Sequence, residues 1–265
     1  MRMPLPGRAV PVLVHRPRRT SPGPLPLVLH VHGGGFTGTA LQCDWLTSHL
    51  AARLPAVVAS VEHRLLGPGT PMSAAVADVS GVLDQITADA AGWGVDPDQV
   101  ALVGESAGGT MTALVAQQAH RRPPLAQVLV NPCLDLTDSA LTYPSMTAHA
   151  RTPTVSADEV ERFCRLAAPP GTDARAASPM HTLTGDRHPP TLLVIPALDP
   201  LADQARTYAQ HLRQTGTPVD LTEYPRAGHA FLSMPHLVPS ARPARSAVRA
   251  FLTGALGAVP GPARD

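Results

Sequence analysis

Short apolar runs bounded by turn-forming residues recur along the chain. Val, Leu and Ala dominate these runs, and their shortness is typical of buried strands. The pattern predicts strands over residues 9–15, 25–32, 56–62, 99–104, 126–131, 191–197 and 219–224. Between most of them lie longer stretches that suit helices, over residues 44–54, 73–91, 108–120, 203–214 and 240–256.

Alternation of strands and helices implies an α/β fold, with a mostly parallel sheet and helices on both of its faces. No internal repeat is visible, so residues 1–265 are expected to form a single domain. Residues 117–124 are interpreted as a loop and residues 260–265 as a disordered tail.

The alternation breaks over residues 134–190, which are rich in Pro, Thr and Ala. Ser156 followed by Glu159 has the spacing of a capping box and predicts a helix over residues 156–168. The rest is either an ordinary crossover connection or a cover for a site. A long insertion after the carboxyl end of a strand must lie near a site at that edge of the sheet.

The stretch Gly104-Glu105-Ser106-Ala107-Gly108 reads G-x-S-x-G and joins a predicted strand to a predicted helix. In that setting the serine sits on a sharp, strained turn with its hydroxyl exposed, and the flanking glycines avoid collisions with the adjoining elements. Ser106 is therefore the candidate nucleophile. Glu105 is expected to contact groups behind the turn in a structural role.

The run His32-Gly33-Gly34-Gly35-Phe36 directly follows a predicted strand. Its glycines leave backbone N–H groups unshielded, so two of them can point at a developing oxyanion, and Ala107 N–H would add a third donor. His32 is expected to support this loop, with Gly33, through a backbone hydrogen bond. A metal site shared with His30 is not expected, because no third ligand is near in the sequence.

Two later segments complete the candidate chemistry. Asp199 and Asp203 follow one predicted strand, and His229 follows the last one. The order serine, aspartate, histidine is that of α/β-hydrolases and differs from the orders in the two classes of serine protease. His229 would be the general base, and either aspartate could orient it. Residues 63–65 are interpreted as a solvated loop.

These segments resemble the hormone-sensitive-lipase-like family of α/β-hydrolase esterases. The matching stretches, in the family's order, are His32-Gly33-Gly34-Gly35-Phe36, Gly104-Glu105-Ser106-Ala107-Gly108-Gly109, Asn131-Pro132-Cys133-Leu134-Asp135-Leu136-Thr137, Asp199-Pro200-Leu201-Ala202-Asp203 and Gly228-His229-Ala230-Phe231. The resemblance implies an α/β-hydrolase fold, Gly34 and Gly35 as oxyanion donors, Asp199 as the triad acid, and residues 134–190 as part of a cap. The segment before the glycine loop is shorter than the family's usual N-terminal cap, so a reduced cap is expected. Three alternatives stay open: an open site, a site covered by a second subunit of a homodimer, or a true start that lies upstream.

Composition narrows the function further. The net charge is +1 and the pI is about 7.9, which gives no reason to expect nucleic acid or an anionic membrane as a partner. All 21 basic residues are arginine, which excludes a Schiff-base or Ser-Lys mechanism. Three cysteines without regular spacing argue against a disulfide framework, and each is expected to be a buried or partly buried residue. No apolar run is long enough to span a membrane and no signal peptide is recognised, so a cytoplasmic location is expected.

The sequence therefore predicts a serine hydrolase that cleaves short-chain carboxylic esters through an acyl-enzyme, without cofactor or metal. Its expected partner is a small-molecule ester. An N-deacetylase or lactonase would use the same triad and is the closest alternative. A non-catalytic small-molecule receptor and a dehydratase occur on the same scaffold, and the intact triad argues against both.

Overall fold

The structure, a computed structural model, describes residues 1–18, 23–119, 122–185 and 188–257. One sheet of eight strands runs through this part of the chain, in the order β1-β2-β4-β3-β5-β6-β7-β8. The strands are β1 (Arg2–Leu5), β2 (Arg8–His15), β3 (Leu25–Val31), β4 (Val57–Val61), β5 (Val95–Glu105), β6 (Ala126–Val130), β7 (Thr191–Leu198) and β8 (Val219–Gly228). Strands β3 to β8 are mutually parallel, and β1 and β2 add an antiparallel edge.

All seven predicted strands are confirmed. The sequence reading missed β1, which pairs with β2 across a tight turn at Gly7, where φ is +77°. It also began β5 four residues late, at 99 instead of Val95, because Asp96-Pro97-Asp98 reads as a turn. The turn exists, since Asp98 N–H donates to the Asp96 carboxylate at 2.9 Å, but it forms an irregularity within the strand.

The helices are α1 (Asp44–Arg53), α2 (Met72–Ala88), α3 (Ala90–Trp93), α4 (Ala107–Gln118), α5 (Pro144–Ala148), α6 (Ala157–Ala167), α7 (Pro179–Thr182), α8 (Ala202–Gln214) and α9 (Ala241–Ala255), with 3-10 turns at Ala40–Cys43, Asp138–Thr142 and Phe231–Ser233. The predicted helix 73–91 is in fact two, α2 and α3, and the second ends at Gly94 in the left-handed conformation. The short helices α5 and α7 were not predicted. The predicted tail at 260–265 lies outside the described residues.

The strands are covered on both faces, as predicted. On β3, Leu27 and Leu29 join a buried cluster with α2 and α4, whereas Val28 between them joins a second cluster with α1 and α9. Neighbouring side chains on a strand point to opposite faces, so these two clusters lie on opposite sides of the sheet. A third cluster packs α8 against β6 and β7.

Within residues 134–190, the predicted capping box is present at the start of α6. Ser156 N–H donates to Glu159 Oε2 at 2.8 Å, and Glu159 N–H donates to Ser156 Oγ at 3.3 Å. The buried side of α6, which includes Val160 and Cys164, packs into the same cluster as β3 and α2. The three cysteines are free and buried. Among the described helices, none has the length and apolar character that a membrane span requires.

Candidate active site

Ser106 occupies a strained turn between β5 and α4. Its backbone φ of +52° is unusual for a residue with a side chain, and such strain is concentrated at functional sites. A Cβ on Gly108 would collide with the carbonyl oxygens of Val31 and His32, and one on Gly104 with Thr112 and the Gly108 carbonyl. Ser106 N–H donates to Val130 O at 2.9 Å, which fixes the turn to the neighbouring strand.

The structure brings Ser106, His229 and Asp199 into one hydrogen-bonded line. Ser106 Oγ lies 2.8 Å from His229 Nε2, and His229 Nδ1 lies 2.7 Å from Asp199 Oδ2. Asp199 is 1% exposed, and its Oδ1 accepts Leu201 N–H at 2.9 Å. With Nδ1–H donated to the carboxylate, Nε2 is free to accept the serine proton.

Asp203, the alternative left open by the residues alone, lies outside this line. It accepts the Ser145 N–H at 2.8 Å and Arg206 Nη1 at 2.7 Å. Burial by itself would raise the pKa of Asp203, but the hydrogen bonds from Arg206 and Ser145 outweigh it and lower that pKa. Asp203 therefore ties α8 to α5.

The glycine loop after β3 passes beside the Ser106 turn. Gly34 has a φ of +96° and Gly35 a φ of +59°, so both adopt left-handed conformations that favour glycine. Within the described residues, neither N–H has a hydrogen-bond partner. Ala107 is the first residue of α4, so its N–H also lacks an intrahelical partner. A Cβ on Gly35 would collide with the ring of Phe163, which α6 places against the loop.

Two buried histidines stack under the glycine loop. The rings of His32 and His63 are 4.2 Å apart at an angle of 13°. His32 Nδ1 donates to Gly33 O at 2.9 Å, and His63 Nδ1 donates to Arg64 O at 2.9 Å. Burial, and next the neighbouring His63, lower the pKa of His32 to about 3. Burial also lowers the pKa of His63.

The interpretation of residues 63–65 as a solvated loop is wrong for His63. His63 is 3% exposed because its ring packs on His32. Arg64 is held by the buried carboxylate of Asp78, with its guanidinium 2.9 Å and 3.1 Å from the two oxygens. Leu65 is exposed, as expected.

Glu105 points behind the turn, where a structural role was expected. Its Oε1 lies 3.4 Å from His30 Nε2, and His30 Nδ1 lies 2.7 Å from Ser60 Oγ. Cys43 is buried beside them, and the potential metal-ligating atoms of His30, Cys43 and Glu105 all lie within 4.8 Å of one another. Burial, followed by the nearby Glu105 charge, raises the pKa of the Cys43 thiol, so it is a protonated thiol in this setting.

Asn131 lies in one of the stretches that match the family and was given no role from the sequence, yet its side chain contacts the triad histidine. It follows β6 directly, is 3% exposed, and has a φ of +36°. Its Nδ2 lies 3.4 Å from His229 Nε2, whereas its Oδ1 is buried without a hydrogen-bond partner. The one sequence signal was its place at the carboxyl end of a central strand, the edge where sites form in parallel sheets.

Two parts of residues 134–190 border the site: residues 147–154 line a cavity together with Gly228, and Phe163 of α6 lies against Gly35. At the start of α6, hydrogen bonds from Ser156, and more weakly the charge of Arg162, lower the pKa of Glu159. The cavity, of about 620 Å³, opens between residues 147–154 and the segments around the triad, with Leu198, Gly228, Met234 and Val238 in its wall. Leu198 and Gly228 directly precede Asp199 and His229, so the cavity adjoins these two triad residues. Ser106 is not among the residues that line it.

The chain is similar to known α/β-hydrolase esterases in sequence and in fold. The profile of a family described as alpha/beta hydrolase fold matches residues 28–233. The chain is 32% identical over 244 residues to carboxylesterase NlhH of Mycobacterium tuberculosis, covering 88% of this chain and 75% of that protein. It is 29% identical to ethyl acetate hydrolase of Pseudomonas putida, covering 89% and 75%. The crystal structure of EstE1, a thermostable carboxylesterase from a metagenomic library, superimposes with a TM-score of 0.88 at 28% identity, covering 97% of this chain and 88% of that one.

Proposed function

The chain belongs to the α/β-hydrolase fold family, in its hormone-sensitive-lipase-like branch, and is a carboxylic ester hydrolase; we propose that it acts as a serine esterase through Ser106, His229 and Asp199. The observation that carries this proposal is the unbroken line of hydrogen bonds from Ser106 Oγ through the imidazole to Asp199, at 2.8 Å and 2.7 Å. That line begins on a strained turn of the kind that exposes a nucleophile.

In the proposed reaction, Ser106 Oγ attacks the ester carbonyl carbon while His229 Nε2 takes its proton. Asp199 holds the imidazole in the required tautomer and stabilises its charged form. The oxyanion is stabilised by the N–H groups of Gly34, Gly35 and Ala107, and each such donor typically contributes 100- to 1000-fold to the rate. His229 gives its proton to the leaving alcohol, and water then hydrolyses the acyl-enzyme by the same groups.

The substrate is proposed to be a small ester with a short acyl chain, which residues 134–190 cover as a cap. The leaving alcohol must receive its proton from His229, so the alcohol part lies on the histidine side. There the 620 Å³ cavity offers room for a bulky alcohol. On the oxyanion side, the Phe163 ring against Gly35 restricts the acyl chain. The resemblance to an ethyl acetate hydrolase supports a short-chain preference.

A cytoplasmic location and a homodimeric state are also proposed. Three free, buried cysteines fit a reducing compartment, where disulfides are rare. Cell fractionation tests the location, and light scattering of the purified protein tests the assembly.

The decisive test uses Ser106→Ala and a fluorophosphonate probe. We expect the variant to fold but to lose p-nitrophenyl acetate hydrolysis by several orders of magnitude, as in other triad enzymes. The probe should label Ser106 in the parent protein and nothing in the variant. Ser48→Ala on α1, where the hydroxyl donates to Asp44 O within the same helix, is the control and should behave like the parent.

Retention of more than about a tenth of the activity in Ser106→Ala would remove this residue from the nucleophile role. Matched amide and lactone substrates, assayed beside the ester, separate the esterase from an N-deacetylase or a lactonase. Chelator treatment is expected to leave the rate unchanged.

A further inference from the structure

Asn131 has an unusual backbone and an unsatisfied side-chain atom. Its φ of +36° lies in the left-handed region, which Asn enters more readily than most residues with a side chain. Its Oδ1 is buried with no partner, which costs stability, because a buried acceptor has lost its hydrogen bonds to water. Costs of this kind persist mainly where they serve function.

The side chain of Asn131 has one polar contact among the described residues, and that contact is His229. Nδ2 faces Nε2 at 3.4 Å, while Ser106 Oγ lies closer, at 2.8 Å. Since Nδ1–H is donated to Asp199, the lone pair of Nε2 is an acceptor, and the amide N–H suits it. In the free enzyme, Ser106 is therefore the main donor to Nε2 and Asn131 the lesser one.

The position of Asn131 is also fixed relative to the nucleophile. Its backbone N–H donates to Val194 O on β7 at 2.9 Å. Two residues later, Cys133 N–H reaches Ser106 O at 3.4 Å, and Cys133 O accepts the Thr110 hydroxyl of α4. The segment that carries the Asn131 amide is therefore hydrogen-bonded to β7, to Ser106 and to α4.

Acylation changes which donor is available to Nε2. In the acyl-enzyme, Ser106 Oγ is an ester oxygen and has no proton to donate. Of the two donors to Nε2, only the Asn131 N–H then remains. The imidazole must stay in place until a water molecule displaces this N–H, gives its proton to Nε2 and attacks the acyl carbon, which forms a tetrahedral intermediate. Collapse of that intermediate then returns the proton to Ser106 Oγ and releases the carboxylic acid.

We propose that Asn131 is a positioning residue for deacylation, whose amide N–H holds the His229 imidazole while Ser106 is acylated. This inference rests on the proposed acyl-enzyme mechanism. It predicts an asymmetric effect, because Ser106 itself orients the imidazole during acylation, whereas deacylation depends on Asn131. The loss of one such hydrogen bond should slow deacylation about five- to tenfold.

Two variants test the role. Asn131→Gly removes the amide and suits the positive φ, and Asn131→Ala removes the amide without adding a charge beside His229. The control is Gln127→Met on β6, the strand that directly precedes Asn131, and this change also removes a buried amide with an unpartnered oxygen. Gln127 lies about 13 Å away along β6, at about 3.3 Å per residue.

The readouts separate the two half-reactions. The enzyme is acetylated with p-nitrophenyl acetate, and loss of the acetyl group from Ser106 is followed by mass spectrometry. Fluorophosphonate labelling and kcat/KM report the attack by Ser106. We expect both Asn131 variants to lose the acetyl group about five- to tenfold more slowly, with kcat and KM falling together and kcat/KM unchanged within about twofold. Gln127→Met should match the parent.

Deacetylation at the parental rate in both variants would overturn the proposal. So would a parallel loss in labelling, kcat/KM and deacetylation, because that pattern marks a merely structural role. If Asn131→Gly does not fold, Asn131→Ala decides alone. If Ser106 is never acetylated in the parent protein, the proposed function fails instead, and the two failures are distinguishable.

Discussion

Acid should destabilise this protein through the buried His32–His63 stack. The pKa of His32 is about 3 in the folded state, against 6.5 for an ordinary histidine. The unfolded chain therefore takes up a proton at this position as the pH falls below 6.5, while folded His32 stays neutral. The free energy of unfolding then decreases with falling pH, and this contribution stops changing below about pH 3, where the folded form is also protonated.

The size of the effect follows from the same two values. pH 5 lies 1.5 pH units below 6.5, and each unit contributes about 1.4 kcal/mol. His32 alone should therefore lower the free energy of unfolding by about 2 kcal/mol between pH 8 and pH 5. A charge on this ring would also lie directly under the glycine loop, which His32 holds through Gly33 O.

Urea unfolding at a series of pH values measures this contribution. His32→Phe keeps a ring that can stack on His63 but cannot titrate. We expect it to be less stable overall, since it lacks the bond to Gly33 O, but its stability should fall less steeply between pH 6.5 and 4. Burial also lowers the pKa of His49, to about 4, and this residue is present in both proteins. The difference in slope therefore reports His32 together with its interaction with His63. Exposed His236→Gln is the control and should keep the parental slope.

Equal slopes in the parent and His32→Phe would refute the reasoning. One contact in the structure would explain that result. The Glu62 carboxylate lies 3.6 Å from His32 Nε2 and favours the charged ring, so a flat difference would mean that its attraction offsets burial.

Three further predictions concern the site. Asp199→Asn should lower kcat about 10,000-fold by favouring the wrong histidine tautomer, whereas Asp203→Asn should cost stability and less than about tenfold in kcat; the reverse order in steady-state assays would reassign the triad acid. Gly35→Ala should lose about 100-fold or more in kcat/KM, because the methyl group meets Phe163 and displaces the loop, while Gly254→Ala on α9, where nothing lies within 4 Å, should keep full activity. In a chain-length series, the parent should hydrolyse esters with acyl chains of two to about four carbons best. Phe163→Ala should move this optimum to longer chains, with kcat/KM rising about fourfold for each methylene that the enlarged pocket buries. An unmoved optimum would show that the Phe163 ring does not limit chain length.

The strands and the three motif-bearing turns could be predicted from sequence because local patterns encode them. A buried parallel strand is a short apolar run, and the glycines around Ser106 are required by backbone geometry within a few residues. Asp199 could not be separated from Asp203 by the residues themselves, since both follow β7 closely. Their difference lies in distant partners, His229 for one and Ser145 with Arg206 for the other.

The remaining site residues depend on tertiary contacts that no local pattern records. Phe163 reaches Gly35 because of how α6 packs on the body of the fold. His63 looks like a solvated loop residue, because its burial depends on stacking against His32, about thirty residues earlier. Asn131 contacts His229 across two strands, at a separation of 98 residues.

The last strand of the sheet has a consequence for how the molecule becomes active. His229 follows β8, which pairs with β7 at the edge of the sheet that the described residues form, and 123 residues separate it from Ser106. A folding chain can close the interior strands around the nucleophile turn before this edge strand docks. Contacts between residues so far apart in sequence form slowly, because the intervening loop must first be closed. Recovery of activity during refolding thus reports the docking of the final strand, and it is expected to trail the recovery of the sheet itself.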